Sequence, residues 1–259
     1  MNSHRYISSN DIISDLPRNI VECILEQMPI RDAGRTIILS TKWRSIWITI
    51  SQLMLDNQFF EEALKIKPIV QHELVSIVDK ILLLHSGPIL KFVLCIPNVQ
   101  IDCSSDIDRW ILFLSRNGIK DLTLDNSNNK PYNLHSYIYS CPELTRLKKL
   151  PQLDYTSHYS KNSSKACTAK SIFEELVPNH LEAPDCITQM LDILRSVKIS
   201  QIKGWKLELL FIKLLLAHST MLETMFVEHC VTVDVQEGFE ISKELARFPQ
   251  GSPKAAIMY

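Results

Sequence analysis

Glycine is scarce in this chain, which contains only six glycines among 259 residues. Loops that cradle phosphate groups need glycine wherever backbone amides must approach a ligand closely. Neither the GxGxxG pattern nor GxxxxGK followed by Ser or Thr occurs in the sequence. Nucleotide-dependent chemistry therefore has little support.

An excess of one charge is also missing, because 28 Lys and Arg residues face 29 Asp and Glu residues. A net charge of −1 gives no general attraction to nucleic acid or to an anionic membrane. The most apolar stretches, 81–96 and 207–217, are interrupted by charged side chains, and residues 1–14 lack the apolar run of a secretory signal. We therefore expect a protein of the nucleus and/or cytoplasm with no membrane or nucleic-acid partner.

Recognisable metal and catalytic patterns are lacking as well. The seven cysteines are scattered without C-x-x-C spacing, which argues against a disulfide framework or a zinc ribbon and favours free thiols. His229 beside Cys230, and His158 near Cys167, show no paired ligand spacing and are interpreted as core or surface residues. Without a GxSxG or HExxH pattern, we expect no enzyme, no cofactor, no metal site and no catalytic residue.

A dense apolar cluster is present near the N-terminus, where the pattern predicts three short helices. Pro17 suits a first helical turn, Pro29 closes that helix, and Asp32 is expected to cap the next one. A unit of about 40 residues rarely holds together by its own core alone. It must pack on the rest of the chain or bind a partner through its apolar residues. Which of Trp43 and Trp47 belongs to the core and which to an interface stays open.

Short apolar segments recur after residue 61 in the frame L-x-x-L-x-L-x-x-N/C of leucine-rich repeats, in which each unit carries a short strand. The frame starts at Leu90, Ile119, Leu144, Leu194 and Leu222. The Leu144 frame fits only in its first half because Lys149 occupies a strand position, and the interval of 50 residues after it could hold one degenerate repeat. A helical pattern at 61–84 precedes the frames, and others lie between them, including an almost wholly apolar helix at 207–217 that we expect to be buried. The alternation predicts an α/β fold, a short, curved, leucine-rich-repeat-like solenoid.

The N-terminal residues, taken in order, closely resemble an F-box. The matching positions are Leu16, Pro17, Ile20, Ile24, Leu25, Met28, Pro29, Asp32, Ala33, Arg35, Thr36, Leu39, Ser40, Lys42, Trp43, Arg44, Ile46 and Trp47. Near the other end, residues 181–184, 208–219, 247–249 and 252–255 are similar to the segments of an FBD region. Through matches at both ends and in parts of the middle, the chain therefore looks like the plant F-box, FBD and leucine-rich-repeat family, with a shortened repeat array.

The resemblance implies an F-box at 11–50, a repeat-like region at 61–157, a flexible Ser/Lys-rich loop at 158–171 and an FBD-like segment at 181–259 that caps the repeats. It implies a substrate-recognition adaptor of an SCF-type cullin-RING ubiquitin ligase, which binds a Skp-type adaptor and, through it, cullin. The body would bind an unknown target protein. The implied adaptor-binding residues are Leu16, Pro17, Ile20, Ile24, Leu25, Pro29, Leu39, Trp43 and Trp47.

Two alternatives remain, a truncated decoy that binds the adaptor without a target, and an enzyme housed in the body. The basic residues around Arg146, Lys148 and Lys149 are interpreted as a solvated charge cluster in preference to an anion-binding patch.

Overall fold

The computed structural model describes residues 16–38, 40–64, 71–97, 104–126, 138, 141–150 and 185–259. Leu39 and the loop predicted for residues 158–171 lie outside these ranges, as do residues 181–184. Within them, no helix is long and apolar enough to cross a membrane.

The N-terminal part forms the three predicted helices, α1 (Arg18–Gln27), α2 (Ile30–Arg35) and α3 (Thr41–Trp47), with a 3-10 turn at Thr36–Ile38. Ser40 begins α3 by accepting a 3.2 Å hydrogen bond from the backbone N–H of Trp43. The expectation that Asp32 caps α2 is wrong. Pro29 occupies the cap, and its carbonyl accepts the first bonds of the helix from the N–H groups of Asp32 and Ala33 at 2.9 and 3.0 Å. Asp32 lies in the first turn, where its Oδ1 is 2.9 Å from Arg35 Nη1.

The rest of the described chain alternates strands with helices. In chain order the elements are β1 (Gln52–Leu55), α4 (Asn57–Leu64), α5 (Gln71–Leu84), β2 (Lys91–Ile96), α6 (Ser104–Ser115), β3 (Asp121–Asn126), β4 (Arg146–Leu150), α7 (Asp185–Ile193), β5 (Ser196–Ile202), α8 (Lys206–His218), β6 (Thr224–His229), α9 (Val235–Leu245) and β7 (Ala256–Met258). All seven described strands form one sheet in the order β1 to β7, and every pairing is parallel. Each strand therefore pairs with the next strand along the chain.

Each of the five predicted frames carries a strand, from β2 to β6, whereas β1 and β7 were not predicted. β4 forms even though Lys149 occupies one of its positions. β4 also pairs directly with β5, so the degenerate repeat expected in the 50-residue interval has no place between these two strands.

One face of the sheet packs on the helices and forms the core. Alternate strand residues such as Leu53, Leu94, Leu124 and Val227 are almost completely buried there. The expectation that the apolar helix α8 is buried is confirmed for its inward face, since the same core contains Leu209, Phe211, Ile212, Leu215 and Leu216.

The N-terminal helices are fastened to the start of the sheet. The N–H of Ser86 donates to the carbonyl of Ile48 at 2.8 Å, and Ser51 Oγ donates to Glu26 Oε1 at 2.8 Å. A Cβ atom at Gly87 would lie 3.0 Å from both Cα and O of Thr49, so only glycine allows this approach without a shift of the backbone. The helices and the sheet therefore share a close junction.

A buried carboxylate organises the turn between β5 and α8. Glu208 is 1% exposed, and its Oε2 accepts hydrogen bonds of 3.0 Å from the backbone N–H groups of Lys203 and Trp205. Oε1 has no hydrogen-bond partner in the described parts of the chain. Burial raises the pKa of the Glu208 carboxyl above its ordinary value of 4.5, and the backbone donors offset this only in part.

This raised pKa predicts a pH dependence of stability. The folded chain holds the Glu208 proton more tightly than the unfolded chain, so this contribution is largest below about pH 4.5 and is lost as the pH rises through the raised pKa. In urea unfolding between pH 4.5 and 8, the stability of the wild type relative to Glu208→Gln should fall with increasing pH. If the stability of the wild type relative to Glu208→Gln rose with pH over this range, the backbone donors and not burial would dominate the pKa of Glu208.

Candidate functional site

Helix α1 has two apolar faces with different surroundings. Val21 and Leu25 are 0% and 1% exposed and pack into the core. Ile20 is 43% exposed on the other side, and Ile24 is partly buried. The apolar residues on α1 thus exceed what its own packing requires, which is typical of a helix that also contacts a partner.

The start of α1 is held by contacts to α3 and to the residues just after it. Lys42 Nζ donates to the carbonyl of Leu16 at 2.5 Å, and Arg18 Nη2 donates to Thr49 Oγ1 at 2.9 Å. Leu16 is partly buried by this arrangement, whereas Pro17 stays exposed at the N-cap. These bonds fix the orientation of the exposed residues on α1.

Ile38 is a surface residue that the sequence reasoning did not nominate. Its side chain is 87% exposed at the end of the 3-10 turn, while the preceding Ile37 packs against the core. Two successive isoleucines in a helical turn cannot face the same side, and this signal could have pointed to Ile38. Together with the exposed Pro29, the set Pro17, Ile20, Ile24, Pro29 and Ile38 is called here the outer apolar surface.

Both tryptophans lie in the core. Trp43 is 4% exposed and Trp47 is 7% exposed, and Gly34 packs beside the Trp47 ring, where a Cβ would make an ordinary contact at 3.7 Å. Neither indole N–H has a hydrogen-bond partner among the described residues. The structure thus gives Leu25, Trp43 and Trp47 a packing position, while Leu39 lies outside the described residues.

A domain-family comparison identifies what this helical unit is. The F-box domain family matches residues 13–51, the stretch that holds α1, α2 and α3. An F-box/FBD/LRR-repeat protein of Arabidopsis thaliana is 43% identical over 140 residues, which cover 54% of this chain and 33% of the relative. An F-box/LRR-repeat protein of the same plant is 33% identical over 153 residues, covering 57% of this chain and 28% of the relative. An FBD-associated F-box protein, also from Arabidopsis thaliana, is 28% identical over 156 residues, covering 57% of this chain and 33% of the relative.

Residues 13–51 thus match an F-box domain, and the chain is similar to plant F-box/FBD/LRR-repeat proteins. The matched regions span about a third of the length of these curated relatives. No solved structure matches the chain. F-box proteins are in general non-catalytic components of SCF-type ligases, and an F-box in general implies binding of a Skp-type adaptor.

The reactive side chains of this F-box protein are dispersed where the structure describes them. Cys95 and Cys141 are buried, and burial raises the pKa of the Cys141 thiol to about 12, so that thiol stays protonated. Cys23 is exposed on α1, unlike the buried position expected of a structural thiol. In the described ranges, no three His, Cys, Asp or Glu residues come together in a way that could hold a metal ion.

Proposed function

We propose that this F-box protein is a substrate-recognition subunit of an SCF-type cullin-RING ubiquitin ligase. The observation that carries the proposal is the outer apolar surface, which a folded F-box leaves exposed beside its own buried core. A Skp-type adaptor would cover Pro17, Ile20 and Ile38, with Leu16, Ile24 and Pro29 around them. Leu25, Trp43 and Trp47 would support adaptor binding indirectly, because their packing in the core holds the helices in place.

The body would serve as the target-binding part. The seven parallel strands found in the described ranges, in sequential order with helices along one face, support a short leucine-rich-repeat solenoid over residues 61–157 that continues into an FBD-like segment at 181–259. Strand β7 and helix α9 would close the stack, as a terminal cap must to cover apolar edges. The protein would work in the nucleus and/or cytoplasm.

Such a subunit needs no catalytic residue. It would hold a target close to a ubiquitin-charged enzyme that cullin recruits, and proximity of this kind can lower a barrier by up to ~7–11 kcal/mol in ideal geometry. The body's contacts to F-box residues Ile48, Thr49 and Ser51 suit this purpose, because they link the target-binding part to the docking part without a free linker.

Adaptor binding is the direct test. Co-expression of the full chain with a plant Skp-type adaptor should give a one-to-one complex in size-exclusion chromatography. Ile20→Asp and Ile38→Asp should each weaken the complex about tenfold or more, because each places a charge in a desolvated apolar contact. Titration calorimetry with purified partners measures the change in Kd.

Val235→Asp is the matched control for these two variants. Val235 is 92% exposed, but it lies on α9 near the other end of the sheet, so Val235→Asp should bind the adaptor like the wild type. A wild-type chain that fails to bind the adaptor would refute the proposed function. Equal losses in all three variants would refute the assignment of the outer apolar surface.

A further inference from the structure

The sheet face opposite the helices carries an unusual row of side chains. The strand register places Lys148 of β4 beside Lys198 of β5, Lys198 beside Phe226 of β6, and Phe226 beside Met258 of β7. Their chain neighbours Leu147, Val197 and Met225 are fully buried against the helices, so the four side chains project to the other face. We call these four residues the open row.

The cationic half of the open row brings two like charges together. Lysines in directly paired positions of neighbouring strands repel each other and destabilise the sheet. The Lys148 Nζ lies 3.9 Å from Asp121 Oδ2, but the same oxygen lies 3.0 Å from Arg146 Nε, so one carboxylate serves two cations. An additional anion would relieve this repulsion.

Both lysines are accessible to an incoming group. The Lys148 side chain is 41% exposed and the Lys198 side chain is 30% exposed. Lys198 pairs with Glu228, whose side chain is itself 53% exposed on the neighbouring strand. Glu228 Oε2 also accepts a 2.8 Å hydrogen bond from Ser200 Oγ. Exposed ion pairs contribute little to stability, so a competing carboxylate can take the place of Glu228 Oε1 at Lys198 while Glu228 keeps its bond to Ser200.

The other half of the open row is apolar. Phe226 and Met258 are each 38% exposed, although large apolar side chains in paired strand positions usually bury more of their surface. Neighbouring strands lie about 4.8 Å apart, so the four positions span about 14 Å, a length that four or five residues of an extended peptide can cover. The row thus presents cations and an apolar surface side by side, at the scale of a short peptide.

We propose that the open row binds a segment of the target polypeptide in which acidic residues stand next to apolar residues. The carboxylates would lie between Lys148 and Lys198, and the apolar side chains would cover Phe226 and Met258. This inference rests on the proposed function, because it names the chemistry of the target that the subunit would select. Because Lys148 is paired with Lys198, the basic residues around Arg146, Lys148 and Lys149 would bind an anionic group and would not simply be solvated.

The test uses the full chain in complex with its Skp-type adaptor and two fluorescein-labelled twelve-residue peptides. One peptide repeats Glu-Glu-Leu-Ser and the other repeats Gln-Gln-Leu-Ser. By fluorescence anisotropy, the acidic peptide should bind about tenfold more tightly than the neutral one at low ionic strength, and added salt should reduce the advantage. Lys148→Glu with Lys198→Glu should abolish the preference, and Phe226→Ser should weaken both peptides.

The control is Lys213→Glu with Lys243→Glu, which makes the same charge change on exposed helical positions of α8 and α9. This variant should keep the preference, and Lys148→Gln with Lys198→Gln should lose it even if the charge-reversed variant folds poorly. Equal binding of the two peptides, or a preference that survives the Lys148 and Lys198 changes, would overturn the inference. Tighter binding of a twelve-nucleotide single-stranded DNA than of the acidic peptide would also overturn it. Because every variant is assayed for adaptor binding as well, a failure here is distinguishable from a failure of the proposed function.

Discussion

Trp43→Ala should lower the free energy of unfolding by about 3–5 kcal/mol, the usual cost of truncating a large buried aromatic side chain. Trp43 is 4% exposed and lies in the core shared by α1, α3 and the start of the sheet. The neighbouring helices are short and tied together, so they can collapse into the resulting cavity only in part. Urea unfolding followed by tryptophan fluorescence and circular dichroism measures the loss.

Ile38→Ala provides the comparison for this variant. Ile38 is 87% exposed, so its truncation should change stability by no more than about 0.5 kcal/mol while still weakening adaptor binding. The two variants therefore separate a residue that holds the F-box together from one that contacts a partner. If Trp43→Ala were as stable as the wild type yet failed to bind the adaptor, Trp43 would belong to the interface and the buried position described above would be wrong.

Gly251→Val should destabilise the C-terminal part of the chain by about 2–3 kcal/mol. A Cβ atom at Gly251 would lie 2.5 Å from the carbonyl oxygen of Ala217, and the obstacle is backbone at the end of α8 that cannot rotate away. The N–H of Gly251 also donates to the carbonyl of Leu216 at 2.8 Å, and the buried Ser252 hydroxyl donates to Leu222 at 2.7 Å. These contacts hold the segment that leads into β7, so the substitution should loosen β7 first.

Limited proteolysis with mass spectrometry should detect this loosening as faster cleavage after residue 246, alongside a lower midpoint in urea. Gly238→Ala is the matched control, because a Cβ there would meet its nearest neighbour, His229 Nδ1, only at 3.8 Å and the residue lies inside α9. It should stabilise the chain by about 0.5–1 kcal/mol through a better helix propensity. If Gly251→Val had the stability and the cleavage pattern of the wild type, Gly251 and the carbonyl of Ala217 would not be in close contact.

The sequence predicted the kinds of element better than the surroundings of single residues. The F-box was recognisable because its prolines, isoleucines and tryptophans keep fixed spacings, and the strands β2 to β6 because each follows an apolar frame. Strands β1 and β7 could not be predicted because they are short, with four and three residues. Lys149 did not prevent β4 because the register shifts between Lys148 and Leu150, so Lys149 lies at an irregularity of the strand with no directly paired residue in β5.

The division of the F-box residues between core and surface could not be predicted in the same way. Ile20 and Leu25 are similar in volume and apolarity, yet one is 43% exposed and the other 1%. The difference depends on how α1 is rotated against α3, which the Lys42 and Arg18 hydrogen bonds fix through contacts distant in sequence. A helical pattern that is apolar over a wide arc does not determine that rotation. The pairing of Lys148 with Lys198 could not be predicted either, because it depends on the direct pairing of β4 with β5, which are far apart in sequence.

The sequential order of the strands has a consequence for how such a chain can change over evolutionary time. Among the strands that the structure describes, each exchanges backbone hydrogen bonds only with the strands before and after it, so most ladder contacts are made between segments that are close in sequence. Removal or duplication of one strand together with its helix requires just two neighbours to form a new pairing, and the remaining pairings stay as they were. Chain length can therefore change by whole strand–helix units while the F-box is preserved. Natural selection can in this way alter the surface of the repeats far from the F-box with few other changes.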